Sequence, residues 1–132
     1  MSGEQKIVSY ACITKDNKVL LLHRTEKFNA WEFPGGYFEF GEHPRHAAER
    51  ETEEECGLIV KAGELIDVGS YISSRGNHQV PIVYNCEFLG GEAKVNDDSH
   101  SECGWFGYEE LEKLNLSESV EFILPKLRKI IN

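Results

Sequence analysis

The amino-acid sequence predicts an α+β fold, or a layered α/β one, around a mixed β-sheet. Runs of β-forming residues stand on both sides of one sharply punctuated helix, and a second helical stripe closes the chain. A content of 40% apolar and 28% charged residues over 132 positions suits one hydrophobic core, so residues 1–132 are read as a single domain.

Residues 7–14, "IVSYACIT", alternate loosely and are rich in β-formers. The turn-forming "KDNK" follows, then "VLLLHR" at 19–24, which together predict a hairpin. After the polar "TEKFNA", Pro34, Gly35 and Gly36 mark a sharp change of direction. Pro44 suits a first helical turn, where its missing N–H is not needed, and Gly57 suits the left-handed position just past a helix end. These two residues predict a helix over 44–56. Strand patterns run from Leu58 to Ser73 and from Gln79 to Phe88 with "SRGN" turning between them, and "LGGEAKV" suggests a further hairpin. Residues 107–114 read as a short helix. Val120, Ile123, Leu127 and Ile130 or Ile131 form a helical apolar stripe, which Pro125 either kinks or delays to a start near residue 123.

Composition narrows the partners. A net charge of -9 disfavours binding to long nucleic acid, whose affinity rests on Lys and Arg neutralising phosphates. No stretch approaches the ~18 apolar residues of a membrane span and no signal-peptide run opens the chain, so the cytoplasm is the expected location and no membrane partner is expected. Cys12, Cys56, Cys86 and Cys103 show no C-x-x-C spacing and read as reduced structural thiols. Nothing in the pattern decides between a monomer and a homodimer.

The chemistry concentrates between Trp31 and Leu58, a stretch crowded with glutamates and holding only two arginines, Arg45 and Arg50. About 100° separates successive residues on a helix, so Glu51, Glu54 and Glu55 project from one side. Like charges at this spacing destabilise a helix by a few tenths of a kcal/mol per pair, and no lysine on the helix offsets them. One reading is a solvated acidic face. The other is that the three carboxylates bind a hard divalent cation such as Mg²⁺, which prefers oxygen ligands and is commonly shared with substrate phosphates. Ala47 and Ala48 then read as bulk stripped away so that a ligand can approach, and Gly35 and Gly36 as backbone able to pass close to the metal.

The stretch "GYFEFGEHPRHAAERETEEECGL", Gly36 to Leu58, resembles the signature of the Nudix hydrolases. A glycine is followed after five residues by Glu42 and after seven more by Arg50-Glu51, Glu54-Glu55, Gly57 and Leu58. Thr52 stands where the family usually has a bulky aliphatic residue. More weakly, the strand ending in Arg24, the "WEFPGG" entry and the acidic residue ahead of Trp105 and Phe106 extend the likeness over most of the chain. The resemblance implies a mixed sheet sandwiched by helices (α/β/α) and hydrolysis of a nucleoside diphosphate linked to a group X, with a small-molecule nucleotide as substrate. It implies Glu51, Glu54 and Glu55 as metal ligands joined by the Gly36 carbonyl, Arg50 as their brace, and Glu42 as a supporting or additional metal-site carboxylate. Mg²⁺ is the implied ion, with Mn²⁺ as its substitute.

Inert diphosphate needs its charge neutralised, a water in line and a base. Glu51, Glu55 and Glu102 are the base candidates, Glu102 being equally readable as an exposed loop residue. Arg24 closes a strand and could reach a phosphate. The histidines show no zinc spacing and read as surface or structural, while Phe28, Tyr71, Asn77 and His78 could line a base pocket. "WEFPGG" and "YFEFGE" resemble MutT-like enzymes, which favours a nucleoside triphosphate, standard or oxidised, cleaved to the monophosphate and pyrophosphate. ADP-ribose or a nucleotide sugar ranks next. A non-catalytic nucleotide-sensing module ranks below these, because every charged position of the signature is filled, and the calcium pattern D-x-[DN]-x-[DN]-G is absent.

Overall fold

The computed structural model describes residues 4–25 and 29–132. Strands β1 (Gln5–Lys15) and β2 (Lys18–Arg24) form the expected hairpin. Its two-residue turn is Asp16-Asn17 with φ of 52° and 63°, the left-handed backbone that Asp and Asn tolerate best after glycine. Strands β3 (Trp31–Glu32) and β4 (Gly35–Gly36) pair with β2 and β1. Helix α1 covers Pro44–Cys56, and Gly57 takes φ 77° just past its end and donates its N–H to Glu53 O.

Beyond it run β5 (Ile59–Val68), β6 (Tyr71–Ile72), β7 (His78–Gly90) and β8 (His100–Phe106), then three short helices, α2 (Tyr108–Leu111), α3 (Glu118–Glu121) and α4 (Leu124–Leu127). The sheet is mixed. β1 lies parallel to β7, Gln5 opposite His78 through Ile13 opposite Cys86, while the other pairings are antiparallel.

Alternation along β1 and β2 divides the core in two. Val8, Tyr10, Cys12, Val19 and Leu21 pack against Leu111, Val120, Ile123, Leu127 and Ile131 of the C-terminal helical segment. Ala11, Ile13, Leu20 and Leu22 face the other way, onto Ala48 and Cys56 of α1. Helices thus cover both faces of the sheet, giving the α/β/α layering.

Two expectations change and one open alternative is decided. "LGGEAKV" forms no hairpin: the chain leaves β7 through Gly91 (φ 92°) and runs along the end of α1, where Lys94 N–H donates to Cys56 O and Asn96 N–H to Glu55 O. Those bonds satisfy terminal carbonyls that a helix leaves unpaired, which a hairpin would not. Of the two readings of Pro125, the delayed start holds: α3 and α4 are separate, and Pro125 sits in the first turn of α4, where a proline needs no N–H partner. Ala47 and Ala48 are completely buried, so their small size lets α1 approach the sheet and makes no room for a ligand. Thr52, also buried, bonds its hydroxyl to Ala48 O at 2.7 Å, which explains how a polar residue fits beneath the helix. Cys12, Cys56 and Cys86 are buried free thiols and Cys103 is half-buried. Among the described residues no helix is long and apolar enough to cross a membrane.

Candidate active site

The chain enters α1 by way of two glycines that nothing larger could replace without displacement. Gly35 and Gly36 lie against Tyr10 and Ser9 of β1, and a Cβ at Gly35 would stand 2.2 Å from Ser9 O. A Cβ at Gly36 would stand 2.7 Å from the Glu51 carboxyl carbon. The backbone therefore passes directly beside the carboxylates. Gly35 N–H donates to Glu55 Oε1 at 2.9 Å.

His43 opens α1 by accepting the Arg45 N–H at its Nδ1, and the helix then lays one side on the sheet and aims Glu51, Glu54 and Glu55 along its rim. Arg50 organises them. Its Nε and Nη2 grip both oxygens of Glu42 at 2.9 and 3.0 Å, its Nη1 reaches Glu51 Oε1 at 3.1 Å and Glu54 at 3.2 Å, and Nη2 also donates to the Tyr37 carbonyl. Planar, bidentate bonding of this kind fixes position as well as charge. The structure thus brings Glu42, Arg50, Glu51 and Glu54 into one bonded cluster, with Gly36 against Glu51 and Gly35 joining Glu55 to the same loop.

The electrostatics of the carboxylates differ with their surroundings. Hydrogen bonds from Arg50 and from Glu39 N–H hold Glu42 down at about 2. Burial raises Glu51 above the usual carboxylate range, against the pull of Arg50. Burial pushes Glu55 up to about 8 despite the Gly35 N–H.

Sequence reasoning missed a second polar array beside Glu55. His100 is buried, its Nε2 2.7 Å from Glu32 Oε2 and its Nδ1 2.9 Å from Asp97 Oδ1. Burial works against protonation of this ring, but the bonds to Glu32 and Asp97 prevail and bring His100 up to about 8. Glu55, Asp97 and His100 each place a potential ligand atom within 4.8 Å of the others. The short Asp97-x-x-His100 spacing was the one local signal; Glu32 is 68 residues away in sequence.

Glu32 also pairs with Arg24 at 3.5 Å, and both line a pocket of about 500 Å³. Tyr10, Tyr71 and Gln79 form further parts of its wall, together with residues 115–119 ahead of and within α3. Tyr71 is thus at the pocket. Asn77 belongs instead to the β6–β7 turn, where its N–H meets Ser73 Oγ, and His78 opens β7 and bonds Ser70. Phe28 lies outside the described residues.

Glu102 is not brought to the carboxylates. Its neighbour Cys103 packs into the α1-side core, so alternation sends the exposed Glu102 to the opposite face, across from His23.

Comparison with known proteins agrees with this architecture. The profile of the NUDIX domain matches residues 5–127. An ADP-ribose pyrophosphatase of Methanocaldococcus jannaschii is 40% identical over 106 residues, 77% of this chain and 62% of that protein. A MutT-like protein of Streptomyces ambofaciens is 32% identical over 92 residues, 70% of this chain and 57% of that one. The chain thus spans about three-fifths of the length of these two relatives. The crystal structure of a MutT NUDIX hydrolase from Burkholderia pseudomallei superposes with a TM-score of 0.83 at 29% identity, covering 92% of this chain and 97% of that one.

Proposed function

The chain belongs to the Nudix hydrolase family, and on that premise we propose that it hydrolyses the diphosphate linkage of a nucleoside diphosphate joined to a group X, using a divalent cation. The observation that carries this reading is the rim of α1, where Glu51 and Glu54 are gripped by one arginine and Gly36 leaves no side chain between the backbone and Glu51.

The donor set fits a hard ion. It is made of carboxylate oxygens with an adjacent backbone carbonyl, and among the described residues buried Glu55 accepts a hydrogen bond from the Gly35 N–H alone, short of what a buried anion needs. Glu51, Glu54, Glu55 and the Gly36 carbonyl would hold Mg²⁺, or Mn²⁺ in its place, with Glu42 supporting them through Arg50. When bound, the ion supplies charge neutralisation of the diphosphate and a more acidic water.

The chain's own residues do the rest. Arg50 keeps Glu51 and Glu54 at fixed positions, so the carboxylates need no reorganisation as charge develops on the phosphate. Glu51 or Glu55 would take the proton of the attacking water, a role that does not fall to Glu102, whose side chain leaves the sheet on the other face. The new bond joins the water oxygen to phosphorus, the P–O–P bridge breaks, and the leaving phosphate carries away the bridging electron pair. Arg24, on the pocket wall beside Glu32, would meet a phosphate, and the mixture of Tyr10 and Tyr71 rings with Gln79, Asn115 and serine side chains suits a nucleoside. X is the terminal phosphate in the nucleoside triphosphate favoured by the sequence resemblance, and it would leave with the β-phosphate as pyrophosphate. It is the ribose in the ADP-ribose for which the Methanocaldococcus relative is named, and it would leave as ribose phosphate.

The test is a panel of nucleoside triphosphates, ADP-ribose, dinucleoside polyphosphates and nucleotide sugars incubated with Mg²⁺, with products separated by chromatography. Nucleoside monophosphate released by the wild-type protein, and lost with chelator or in Glu54→Gln, is the expected result. No release from any compound, or undiminished release by Glu54→Gln, overturns the reading.

A further inference from the structure

The strand registers gather apolar side chains on an exposed end of the sheet face that carries α1. Alternation along β1 turns Val8, Tyr10 and Cys12 towards the C-terminal helices and Ala11 and Ile13 towards α1, so Ile7 points to the α1 side as well. Ile7 stands opposite Val80 of β7, and two residues further on Ile82 packs against the α1-side core. On the other flank of β7, Val68 stands opposite Ile82 and Leu65 opposite Tyr84, and at the start of β7 Ile72 stands opposite His78. Residues opposite one another on paired strands share a face, so Ile7, Leu65, Val68, Ile72, Val80 and Ile82 form one patch.

That patch meets solvent. Ile7 is 45% exposed, Leu65 51%, Val68 48% and Ile72 66%, while Val80 and Ile82 are half-buried. The four most exposed residues leave roughly 350 Å² of apolar surface in water, inside the range of about 300–600 Å² where apolar patches tend to be functional.

Charge and area together select the occupant. The polar positions that the same registers turn to this end of the face are Gln5, Ser9 and His78, none of them a carboxylate, lysine or arginine. Charged residues of these strands turn the other way, Asp67 to Lys126 of α4 at 3.1 Å and Lys6 to Glu4. A basic or acidic partner therefore finds nothing here to pair with. Two copies of a chain with net charge -9 repel through most of their surface, and this uncharged face is where they approach with least repulsion. Strand addition at the edge of β5 is blocked, because Ala62 N–H donates to Glu49 Oε2 and Arg45 donates to the Ala62 and Gly63 carbonyls. Packing is then face to face, as in sheets stacked about 10 Å apart. A twofold axis brings the same patch from each copy, so about 700 Å² of apolar surface with its polar rim reaches the ~1,200 Å² at which specific interfaces begin.

We propose that this end of the α1-side sheet face is a homodimer interface, the patch of one copy packing on the same patch of a second. An interface at the small end of the specific class implies a dissociation constant on the order of 10 µM. The proposal is independent of the hydrolase reading. It leaves the pocket open, since Tyr71 and Gln79 of the pocket wall alternate with Ile72 and Val80 and so turn to the opposite face.

The test is sedimentation velocity of the full chain from about 1 to about 500 µM, a range that brackets the expected constant. The wild-type protein should pass from monomer to dimer, and added salt should tighten the dimer severalfold, because screening relieves like-charge repulsion without weakening apolar burial. Val68→Glu with Ile72→Glu should weaken association about 100-fold, by placing four carboxylates at the dimer's centre. A thermal melt checks that these exposed substitutions leave the fold intact. Leu89→Glu, which adds the same charge at an exposed site at the far end of β7, should dimerise like wild type. A wild-type chain that stays monomeric throughout, or a dimer that survives the double substitution, overturns the interface. Flotation of such a monomer with uncharged phosphatidylcholine vesicles would overturn it in favour of a lipid surface.

Discussion

Adding one methyl group at each of the paired glycines separates their two jobs. In Gly35→Ala the new Cβ would stand 2.2 Å from Ser9 O and 2.9 Å from Tyr10 Cα, both main-chain atoms of a central strand. Overpacking costs about 1–3 kcal/mol where neighbours can yield; a backbone strand cannot, so the loss is expected at the upper end of that range. In Gly36→Ala the three atoms nearest the Cβ all belong to the Glu51 carboxylate, at 2.7 to 2.9 Å. Moving that contact from 2.7 Å out to the 3.4 Å where ordinary contact begins requires about 0.7 Å, and the carboxylate can swing by that much only by leaving its 3.1 Å bond to Arg50. The expected stability loss is under about 1 kcal/mol, whereas a reacting group misplaced by about 1 Å can lose about 100-fold in rate. Urea unfolding of both variants, with Mn²⁺ affinity and Mg²⁺-dependent turnover measured alongside, gives the comparison. Gly36→Ala should unfold close to wild type, bind Mn²⁺ more weakly and turn over roughly ten- to hundredfold more slowly. A Gly36→Ala protein as unstable as Gly35→Ala, or one with unaltered metal affinity and turnover, would refute the argument that this glycine serves the carboxylates and not the sheet.

The metal-free protein should lose stability as pH rises from 5 to 8. Glu55 in the folded state titrates at about 8 against 4.5 for its ordinary value, so between them the folded chain holds a proton that the unfolded chain has released. His100, at about 8 against 6.5, adds stability below its ordinary value that is likewise lost as pH climbs through 8. Each group contributes roughly 1.4 kcal/mol per pH unit inside its own window. Chemical unfolding in chelator at several pH values should show this fall, and Glu55→Gln should flatten the part beginning near pH 5; a wild-type curve flat across that interval would contradict the burial argument. Glu102→Gln should retain full Mg²⁺-dependent turnover, since its side chain leaves the sheet on the other face. A large drop in its kcat would place the proton acceptor where the strand alternation forbids it.

How much of this could be read from the sequence follows from how local the determining interactions are. The ends of α1 were legible because Pro44 and Gly57 act through their own backbone preferences, and the side-by-side carboxylates followed from helical spacing alone. The β1–β2 hairpin was legible for the same reason, since Asp16-Asn17 supplies the left-handed turn within two residues. What escaped depends on partners distant in sequence. β8 was hidden because its first residues alternate poorly, the strand carrying a bulge where His23 and Arg24 shift register. "LGGEAKV" was misread because glycines signal a turn without saying whether the chain will find a strand or, as here, the unpaired carbonyls at the end of α1. Ala47 and Ala48 were misassigned because small size serves close packing against a sheet as well as it serves access for a ligand.

His100 is the most instructive of these cases. Viewed along the chain it has no metal spacing, and its meaning appears only when β3 brings Glu32 and the segment after β7 brings Asp97 to the two sides of one buried ring. The signature helix alone describes a cluster of anions at a rim. The fold adds the array through which those anions adjoin the pocket wall, so that the residues expected to hold the ion and those expected to hold the nucleoside become neighbours although one set lies on α1 and the other on strands. If the pocket holds the nucleoside as proposed, substitutions at its wall, such as Tyr71→Ala or Gln79→Ala, should change which compound is cleaved while leaving the cation's affinity as it was.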